Sequence, residues 1–302
     1  MIESKKIWMD GQLINWKDAK IHVLTHTLHY GAGVFEGIRA YKTEKGPAVF
    51  RLPEHIKRFF YSASCIGMEI PFSEDDIRKA VLDTIVVNEL DACYIRPLGF
   101  FGYGKMGLNP KGAPVHIAIA VWPWGAYLGE DAIVKVKSSK YMRIHPKSTV
   151  ADAKICGHYV NSILASIEVK KMGGDEALLL DYEGYAAEGP GENIFMVKNG
   201  KMYTPLSGTI LPGITRQSII KIARDLNIET EEKKLTIEEL QSADEAFFVG
   251  TAAEVCPIGE IDNAVINNGK LGEITKRIKE MYQKAITGKE EKYLNWLNFV
   301  NI

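Results

Sequence analysis

The sequence predicts a mixed α/β protein, closer to the α+β class than to regularly alternating folds, with two domains. Its 302 residues exceed the ~100–200 residues of an ordinary single domain. Amphipathic helical patterns occur in both halves, and strand-like runs follow one another without regular strand–helix alternation. The Gly/Pro-rich stretch Pro123–Glu130 marks the best boundary. We therefore expect a small N-terminal domain at 1–124, an interdomain loop at 125–131 and a large C-terminal domain at 132–302.

Composition and charge argue against several classes of protein. With 46% hydrophobic residues, 25% charged residues and a net charge of −1, the chain lacks the basic excess of a nucleic-acid-binding surface. No apolar run approaches the ~18 residues that cross a membrane, and Met1–Asp10 is too polar for a signal peptide. The cysteines form no C-x-x-C pair, which fits reduced thiols in a cytoplasmic protein; they are Cys65, Cys93, Cys156 and Cys256.

In the first half, turn and cap residues define the elements. Asp10-Gly11 is a typical hairpin turn, proline suits the first turn of a helix, and serine is a good N-cap. Alternating or continuous apolar runs predict strands. The expected elements are a hairpin over Lys6–Trp16, helices beginning at Pro53 and after Ser73, and strands at Tyr94–Phe101 and His116–Trp124.

The second half follows the same rules. Gly173-Gly174 is a suitable C-terminal cap for the helix before it, and Asn199-Gly200 is a hairpin turn. Strands are expected at Ile133–Lys137, Glu176–Asp181, Tyr185–Glu188, Asn193–Val197, Lys201–Thr204 and Ala246–Val249. Helices are expected at Tyr159–Met172, Thr215–Leu226, Thr236–Ser242 and Gly272–Thr287.

The stretch His22–Arg39 contains three histidines and three glycines. Histidines at 22, 26 and 29 invite a metal interpretation, but no carboxylate stands at ligand spacing among them. The neighbouring Thr, Tyr and Gly residues are typical of a turn-rich surface. The glycines at 31, 33 and 37 indicate tight turns or close approach, and their spacing is not that of G-x-G-x-x-G. We therefore predict no metal site.

Lys154 is the main candidate for chemistry. It stands among small and apolar residues, with Asp152 nearby. Desolvation favours the neutral amine, which can attack a carbonyl and form a Schiff base. The ordinary alternative is a lysine near a helix start whose ammonium reaches solvent. For Cys156, two residues on, we expect a small core residue, with oxidation sensitivity as the alternative.

Three further features each allow a functional and an ordinary interpretation. Leu211–Ile220 begins a helix after Pro-Gly, and Thr215 either caps that helix or contacts a phosphate. Glu188 is either a turn carboxylate on the surface or a buried partner of a cationic ring nitrogen. Tyr94 and Arg96 share one face of a strand, where the arginine binds a substrate carboxylate or forms an ordinary salt bridge.

Taken together, these stretches resemble the branched-chain amino acid aminotransferases, which are fold-type IV pyridoxal phosphate enzymes. The resemblance covers most of the chain in the family's order, except for its last fifty or so residues. It is carried by HYGAGVFEGIRAY, VFRLPEHIKRF, YIRPLGF, KMGLNP, WPWGAYLG, the lysine segment, EGPGENIF, LPGITR and GTAAE.

The resemblance implies a two-domain fold with pyridoxal 5′-phosphate in the cleft between the domains. Lys154 then matches the lysine that binds the cofactor and moves the proton, Glu188 the partner of the pyridine nitrogen, and Tyr159 the tyrosine bonded to the phenolic oxygen. The phosphate cup is matched by Arg58, the backbone of Ile214 and Thr215, and Thr251.

The resemblance also implies the substrates. Tyr94 and Arg96 match the Tyr-x-Arg element of the branched-chain group. The apolar side-chain pocket and its surroundings are matched by Phe35, Gly37, Trp124, Tyr127 and Ala252. The family residues that enter the pocket from the partner subunit are matched by Tyr30, Met106 and Leu108. A homodimer is therefore expected, with a higher homo-oligomer left open. The implied reaction exchanges an amino group between L-leucine, L-isoleucine or L-valine and 2-oxoglutarate.

Other functions of the same fold are a D-amino acid aminotransferase, an R-selective amine transaminase and a 4-amino-4-deoxychorismate lyase. The elements Tyr94–Arg96 and Met106–Pro110 favour the branched-chain enzyme over these. A non-catalytic pyridoxal phosphate binder is expected to lack the lysine or the carboxylate, and both are present. His158 departs from the family pattern, which has Asn there, and we expect this to tune activity without abolishing it.

Overall fold

The computed structural model describes residues 3–125, 129 and 132–300, which divide into two compact units. The first unit comprises the chain up to Trp124, together with Ala153–His158 and the chain from Ala285 onwards. The second comprises Gly125–Asp152 and Tyr159–Lys284. The division into domains at 124 and 132 stays a prediction. No helix in the described part of the chain is long and apolar enough to cross a membrane.

The strands and helices alternate irregularly along the chain. The strands are β1 (Lys6–Met9), β2 (Gln12–Asn15), β3 (Gly33–Phe35), β4 (Ile38–Thr43), β5 (Gly46–Phe50), β6 (Cys93–Phe101), β7 (Val115–Trp122), β8 (Val134–Ser138), β9 (Glu176–Leu180), β10 (Ala186–Glu188), β11 (Asn193–Lys198), β12 (Lys201–Thr204), β13 (Thr230–Glu232), β14 (Glu245–Gly250), β15 (Glu254–Ile261), β16 (Ala264–Val265) and β17 (Leu297–Phe299). The helices are α1 (His26–Tyr30), α2 (Leu52–Cys65), α3 (Glu74–Asn88), α4 (Tyr159–Lys171), α5 (Ile214–Asp225), α6 (Ile237–Gln241) and α7 (Glu273–Ile286). Short 3₁₀ turns lie at Trp16–Asp18, Cys156–His158, Asn267–Gly269 and Glu291–Trp296.

The first unit is built on an antiparallel sheet covered by two helices. The sheet has the order β17-β5-β4-β6-β7-β1-β2, with β3 paired to β6. Helix α3 begins with a capping box in which Ser73 and Asp76 bond each other's backbone N–H groups. Its residue Ile77 is fully buried, as are Ile56 and Phe59 of α2, in one core with the strands.

Helix α2 has two buried faces of different chemistry. Its apolar face carries Leu52, Ile56, Phe59 and Ala63, at the spacing of one helix side. A polar stripe beside it carries the buried His55 and Ser62, with Arg58 between them. This stripe supplies three groups of the site described below.

The second unit contains a closed ring of strands. Strand β10 pairs with both β9 and β11, which closes β10-β9-β8-β15-β14-β11 into a cycle of six. The pairs β8–β9 and β8–β15 are parallel, whereas β14 is antiparallel to both of its neighbours. At the closure, Glu188 of β10 lies directly opposite Asn193 of β11.

The elements predicted from turns and caps are confirmed within a few residues, including the β1–β2 hairpin, α2 and α3. The interpretation of His22–Arg39 as a turn-rich surface was incomplete, because it contains α1, β3 and the start of β4. Strands β3, β4, β5, β13, β15, β16 and β17 were not predicted. In β15, Pro257 is a poor strand residue by local rules, yet it pairs with Phe247 across the β14–β15 hairpin.

Candidate active site

Lys154 is held in place through its backbone. Its carbonyl oxygen accepts a hydrogen bond from the Phe35 N–H at 3.2 Å, and its own N–H donates to Ser62 Oγ at 2.9 Å. The next residue, Ile155, forms a β-bridge with Val34. The lysine segment is therefore docked on β3 and α2, ahead of the α4 start at Tyr159.

The Lys154 side chain is half-buried and lies against an aromatic ring. Its Nζ atom is 4.8 Å from the centroid of the Phe35 ring. Ala153 and Ile155 on either side are buried. The lysine is thus part of a packed environment, as its small and apolar neighbours predicted.

Arg96 lies over the same Phe35 ring, with its guanidinium carbon 4.8 Å from the centroid. Its Nη2 donates to the Tyr94 hydroxyl at 3.1 Å, so the prediction that these two residues share one face is confirmed. Within the described part of the chain, the buried Nε of Arg96 has no hydrogen-bond partner. A buried charged donor in aromatic surroundings is suited to binding a carboxylate.

Gly37 leaves room for the Tyr94 hydroxyl. A Cβ atom at this position would lie 2.1 Å from that oxygen. The Tyr94 ring in turn meets Trp124 edge-on, with 4.4 Å between ring centroids. Arg39 donates to the Trp124 carbonyl oxygen at 2.9 Å. The structure therefore brings Gly37, Tyr94 and Trp124 together, while Tyr127 lies outside the described residues.

Arg58 is mostly buried and forms a two-point ion pair with Glu36. Glu36 was not predicted as a site residue, although it stands between the candidate residues Phe35 and Gly37. No local signal marks it, because its partner is on a separate helix.

Glu188 is buried, so the interpretation as a surface carboxylate was wrong. Its carboxylate accepts hydrogen bonds from Arg143 Nε, from Asn193 Nδ2 at 3.0 Å and from the Leu211 N–H at 3.1 Å. Arg143 also donates to the Ala151 carbonyl oxygen at 3.1 Å. These contacts fix the direction of the carboxylate. The roles of Arg143 and Asn193 had no signal in the sequence.

Helix α5 begins beside this carboxylate. Gly213 is its N-cap, so the alternative in which Thr215 caps the helix was wrong. Ile214 and Thr215 form the first turn and are buried. The Asn193 amide donates to the Leu211 carbonyl oxygen at 3.0 Å, which ties the start of α5 to Glu188. The free N–H groups of a helix start attract phosphate.

The remaining candidates fall into two groups. Thr251 and Ala252 lie in the turn between β14 and β15. Val249 of β14 pairs with Asn193, the residue that bonds Glu188. Thr251 follows Val249 by two residues. Tyr159 is the first residue of α4, and His158 ends the 3₁₀ turn before it.

The residues predicted to enter a partner's pocket are exposed in this chain. Leu108 is 86% exposed, and Tyr30 and Met106 are also exposed. The loop that carries Met106 and Leu108 is tied to α1 by a hydrogen bond between His26 Nε2 and the Gly107 carbonyl oxygen, at 2.8 Å.

Cys156 and the three histidines were the remaining candidates for redox or metal chemistry. Burial raises the pKa of the Cys156 thiol to about 11, although the Arg96 and Lys154 charges oppose this. The thiol is therefore protonated near neutral pH, which favours the core-residue interpretation. Among the described residues, no group of three His, Cys, Asp or Glu side chains is arranged to hold a metal ion.

Comparisons with known proteins place the chain in one family. Residues 33–261 match the family described as amino-transferase class IV. A protein of Pseudomonas aeruginosa named branched-chain-amino-acid aminotransferase is 48% identical over 297 residues, which cover 97% of each chain.

Solved structures of one relative, a branched-chain amino acid aminotransferase of T.th., match the whole fold. The structure with pyridoxamine 5′-phosphate has a TM-score of 0.97 and 46% identity, covering 100% of both chains. The complexes with N-(5′-phosphopyridoxyl)-L-glutamate and with 4-methylvaleric acid each have a TM-score of 0.95 and 44% identity, again covering 100% of both chains.

Proposed function

This chain belongs to the class IV aminotransferase family, and we propose that it is a pyridoxal phosphate-dependent branched-chain amino acid aminotransferase. It transfers an amino group between L-leucine, L-isoleucine or L-valine and 2-oxoglutarate. One observation carries the proposal: Lys154 Nζ and the Arg96 guanidinium carbon each lie 4.8 Å from the centroid of the same Phe35 ring. A reactive amine and a carboxylate receptor on one ring are what an amino-acid-handling site needs.

The residues fit the proposed cofactor. Glu188 is a buried carboxylate beside Arg143, and a fixed negative charge of this kind pairs with a protonated pyridine nitrogen. The α5 start, through the Ile214 and Thr215 backbone, suits the phosphate. Arg58, Thr251 and Tyr159 complete the proposed set. Bound pyridoxal phosphate supplies a carbonyl that reacts with amines and a ring that takes up the electron pair left on the substrate carbon.

The protein's own residues do the remaining work. Lys154 Nζ holds the cofactor between turnovers and then moves a proton from the substrate Cα. Glu188 keeps the ring nitrogen protonated. Arg96 holds the substrate carboxylate, and its Tyr94 contact fixes the direction of the guanidinium.

The proposed substrate pocket combines apolar walls with one cation. Phe35, Tyr94 and Trp124 supply the aromatic surface, with Tyr127 and Ala252 beside them in the proposal. Apolar pockets separate substrates differing by a methylene by only ~1–3 kcal/mol, so all three branched amino acids are accepted. Arg96 holds the α-carboxylate of every substrate, so polar groups at the pocket edge receive the second carboxylate of glutamate. The glutamate adduct and 4-methylvaleric acid bound by the T.th. relative support these two substrate types.

A homodimer is the proposed working unit. Helix α4 exposes an apolar stripe at helical spacing, formed by Val160, Ile163, Leu164 and Ile167. Tyr30, Met106 and Leu108 are exposed as well, which suits residues that enter a partner's pocket. The cysteines Cys65, Cys93, Cys156 and Cys256 are free thiols, which supports a cytoplasmic location.

Steady-state transamination tests the function. The expected donors are L-leucine, L-isoleucine and L-valine with 2-oxoglutarate as acceptor, with glutamate as the measured product. Lys154→Ala is expected to abolish turnover because it removes the amine that binds the cofactor and moves the proton. Near-wild-type turnover in that variant, or turnover only with D-alanine or an R-amine, would contradict the proposal.

A further inference from the structure

Glu36 is a fully buried carboxylate outside the residues assigned above. It lies between β3 and β4, and its N–H donates to the Pro97 carbonyl oxygen at 2.9 Å. Its neighbour Phe35 contacts Lys154 and Arg96, and its other neighbour, Gly37, makes room for Tyr94. Because side chains alternate along an extended chain, the Glu36 carboxylate turns away from Phe35 and meets α2.

On α2, the carboxylate contacts two residues of the polar stripe. Arg58 Nε donates to Glu36 Oε1 at 2.6 Å, and Arg58 Nη2 donates to Oε2 at 2.9 Å. His55 Nδ1 lies 2.8 Å from Glu36 Oε2. A two-point contact with a planar guanidinium fixes its plane as well as its position.

The protonation states agree with these contacts. Burial by itself would raise the pKa of Glu36, but the Arg58 charge and the His55 hydrogen bond hold it well below its usual range. Burial lowers the pKa of His55, although Glu36 opposes this. A neutral His55 therefore donates its Nδ1 proton to an ionised Glu36.

The same stripe also touches the lysine segment. Ser62, one helical turn beyond Arg58, accepts the Lys154 N–H. Helix α2 therefore fixes Glu36 through Arg58 and His55, and Lys154 through Ser62. One helix therefore positions both Glu36 and Lys154.

We infer that Glu36 is a positioning residue that holds the Arg58 guanidinium in the orientation in which it receives the cofactor phosphate, with His55 fixing the carboxylate. The inference rests on the proposed phosphate role of Arg58. An arginine side chain loses considerable rotamer freedom when it is immobilised. With Glu36 in place, the Arg58 side chain is already ordered in the folded protein. Binding the phosphate therefore carries no further entropy cost for ordering this side chain.

The test compares two ligands that differ only in the phosphate. Glu36→Gln, Arg58→Gln and the double variant are purified as holoenzyme, stripped, and titrated with pyridoxal phosphate and with pyridoxal. Occupancy is read from the visible absorption of the lysine-bound ligand. Glu54→Gln is the matched control, because Glu54 is also on α2 and also pairs with an arginine, Arg51, at 2.7 Å.

We expect Glu36→Gln to weaken pyridoxal phosphate binding by roughly 10- to 100-fold, as for loss of hydrogen bonds to a charged group. Pyridoxal binding should change by less than about threefold, because it has no phosphate for Arg58 to receive. The double variant should bind pyridoxal phosphate no more weakly than Arg58→Gln does. Glu54→Gln should bind both ligands as the wild type does.

Two results would overturn the inference while leaving the proposed function intact. One is that Glu36→Gln binds pyridoxal phosphate with wild-type affinity although Arg58→Gln binds it more weakly. The other is an equal loss for both ligands in Glu36→Gln, which indicates a general structural role. An unchanged Arg58→Gln instead removes the proposed role of Arg58, and this inference with it.

Folding is checked by circular dichroism. If Glu36→Gln does not fold, Glu36→Asp takes its place under the same criteria. The aspartate keeps the buried negative charge but is one methylene too short for the two-point contact with Arg58.

Discussion

At the scale of single residues, three consecutive positions organise the candidate site in the first unit. Phe35 contacts both Lys154 and Arg96 through its ring, Glu36 binds Arg58, and Gly37 admits the Tyr94 hydroxyl. The family resemblance pointed to Phe35 and Gly37. Glu36 carried no signal in the sequence, because its pairing with Arg58 spans 22 residues and has no local pattern.

Gly37→Ala tests the residue-scale account. The new Cβ would lie 2.1 Å from the Tyr94 hydroxyl, so Tyr94 must move and the Arg96 contact must change. A displacement of about 1 Å can reduce kcat/KM by roughly 10²-fold, and we expect a loss of this size for L-leucine. The visible spectrum of the bound cofactor should be unchanged.

Gly191→Ala is the control for this prediction, because no atom lies within 4 Å of a Cβ built there and its φ is not left-handed. It should keep wild-type kinetics. Wild-type kcat/KM in Gly37→Ala would show that the Tyr94 position is unimportant for substrate binding.

At the scale of elements, the strand closure in the second unit connects two parts of the proposed cofactor site. The β10–β11 register sets Asn193 opposite Glu188, and the Asn193 amide bonds both Glu188 and the Leu211 carbonyl oxygen. A Cβ on Gly213 would lie 2.0 Å from Asn193 Oδ1. The start of α5 and the Glu188 carboxylate therefore form one packed unit.

Asn193→Ala is expected to lower both stability and cofactor affinity. It leaves buried groups with fewer hydrogen bonds, a loss of ~1–3 kcal/mol in the free energy of unfolding. Thermal unfolding and a pyridoxal phosphate titration measure the two effects. The cofactor should be held more weakly because Glu188 and the α5 start lose their connection.

Asn88→Ala separates the two effects. Asn88 is buried to the same extent as Asn193 and bonds the Lys5 and Lys6 N–H groups, away from the candidate site residues. The Asn88→Ala variant should be less stable than the wild type but should bind the cofactor with the same affinity. Equal cofactor loss in both variants would mean that Asn193 acts only through stability.

At the scale of the whole molecule, local signals and long-range pairing explain what was and was not predictable. Hairpin turns and helix caps, such as Asp10-Gly11 and Ser73, depend on neighbouring residues and were located correctly. The grouping of Ala153–His158 with the first unit depends on pairing with β3, more than a hundred residues earlier. Likewise, Arg143 and Glu188 are 45 residues apart in the sequence, so no local pattern marks their contact.

The proposed dimer is a further whole-molecule property. Ile163 lies in the exposed apolar stripe of α4 and is 55% exposed in the single chain. Burying a charge in an interface is costly, so Ile163→Glu should shift the protein towards monomer. Light scattering after size exclusion measures the mass.

Val265→Glu is the matched control, since Val265 is also an exposed apolar residue but lies on β16, away from the stripe. It should not change the mass. An unchanged oligomer in Ile163→Glu would move the interface away from α4.

The most direct test of the central claim is the visible spectrum of the purified protein before and after addition of L-leucine without any keto acid. We predict that the absorption band of the lysine-bound pyridoxal phosphate disappears while that of pyridoxamine phosphate grows. This result would establish the cofactor, the lysine linkage and an L-branched substrate together. A spectrum that ignores L-leucine but responds to D-alanine or an R-amine would contradict the branched-chain function while keeping the family.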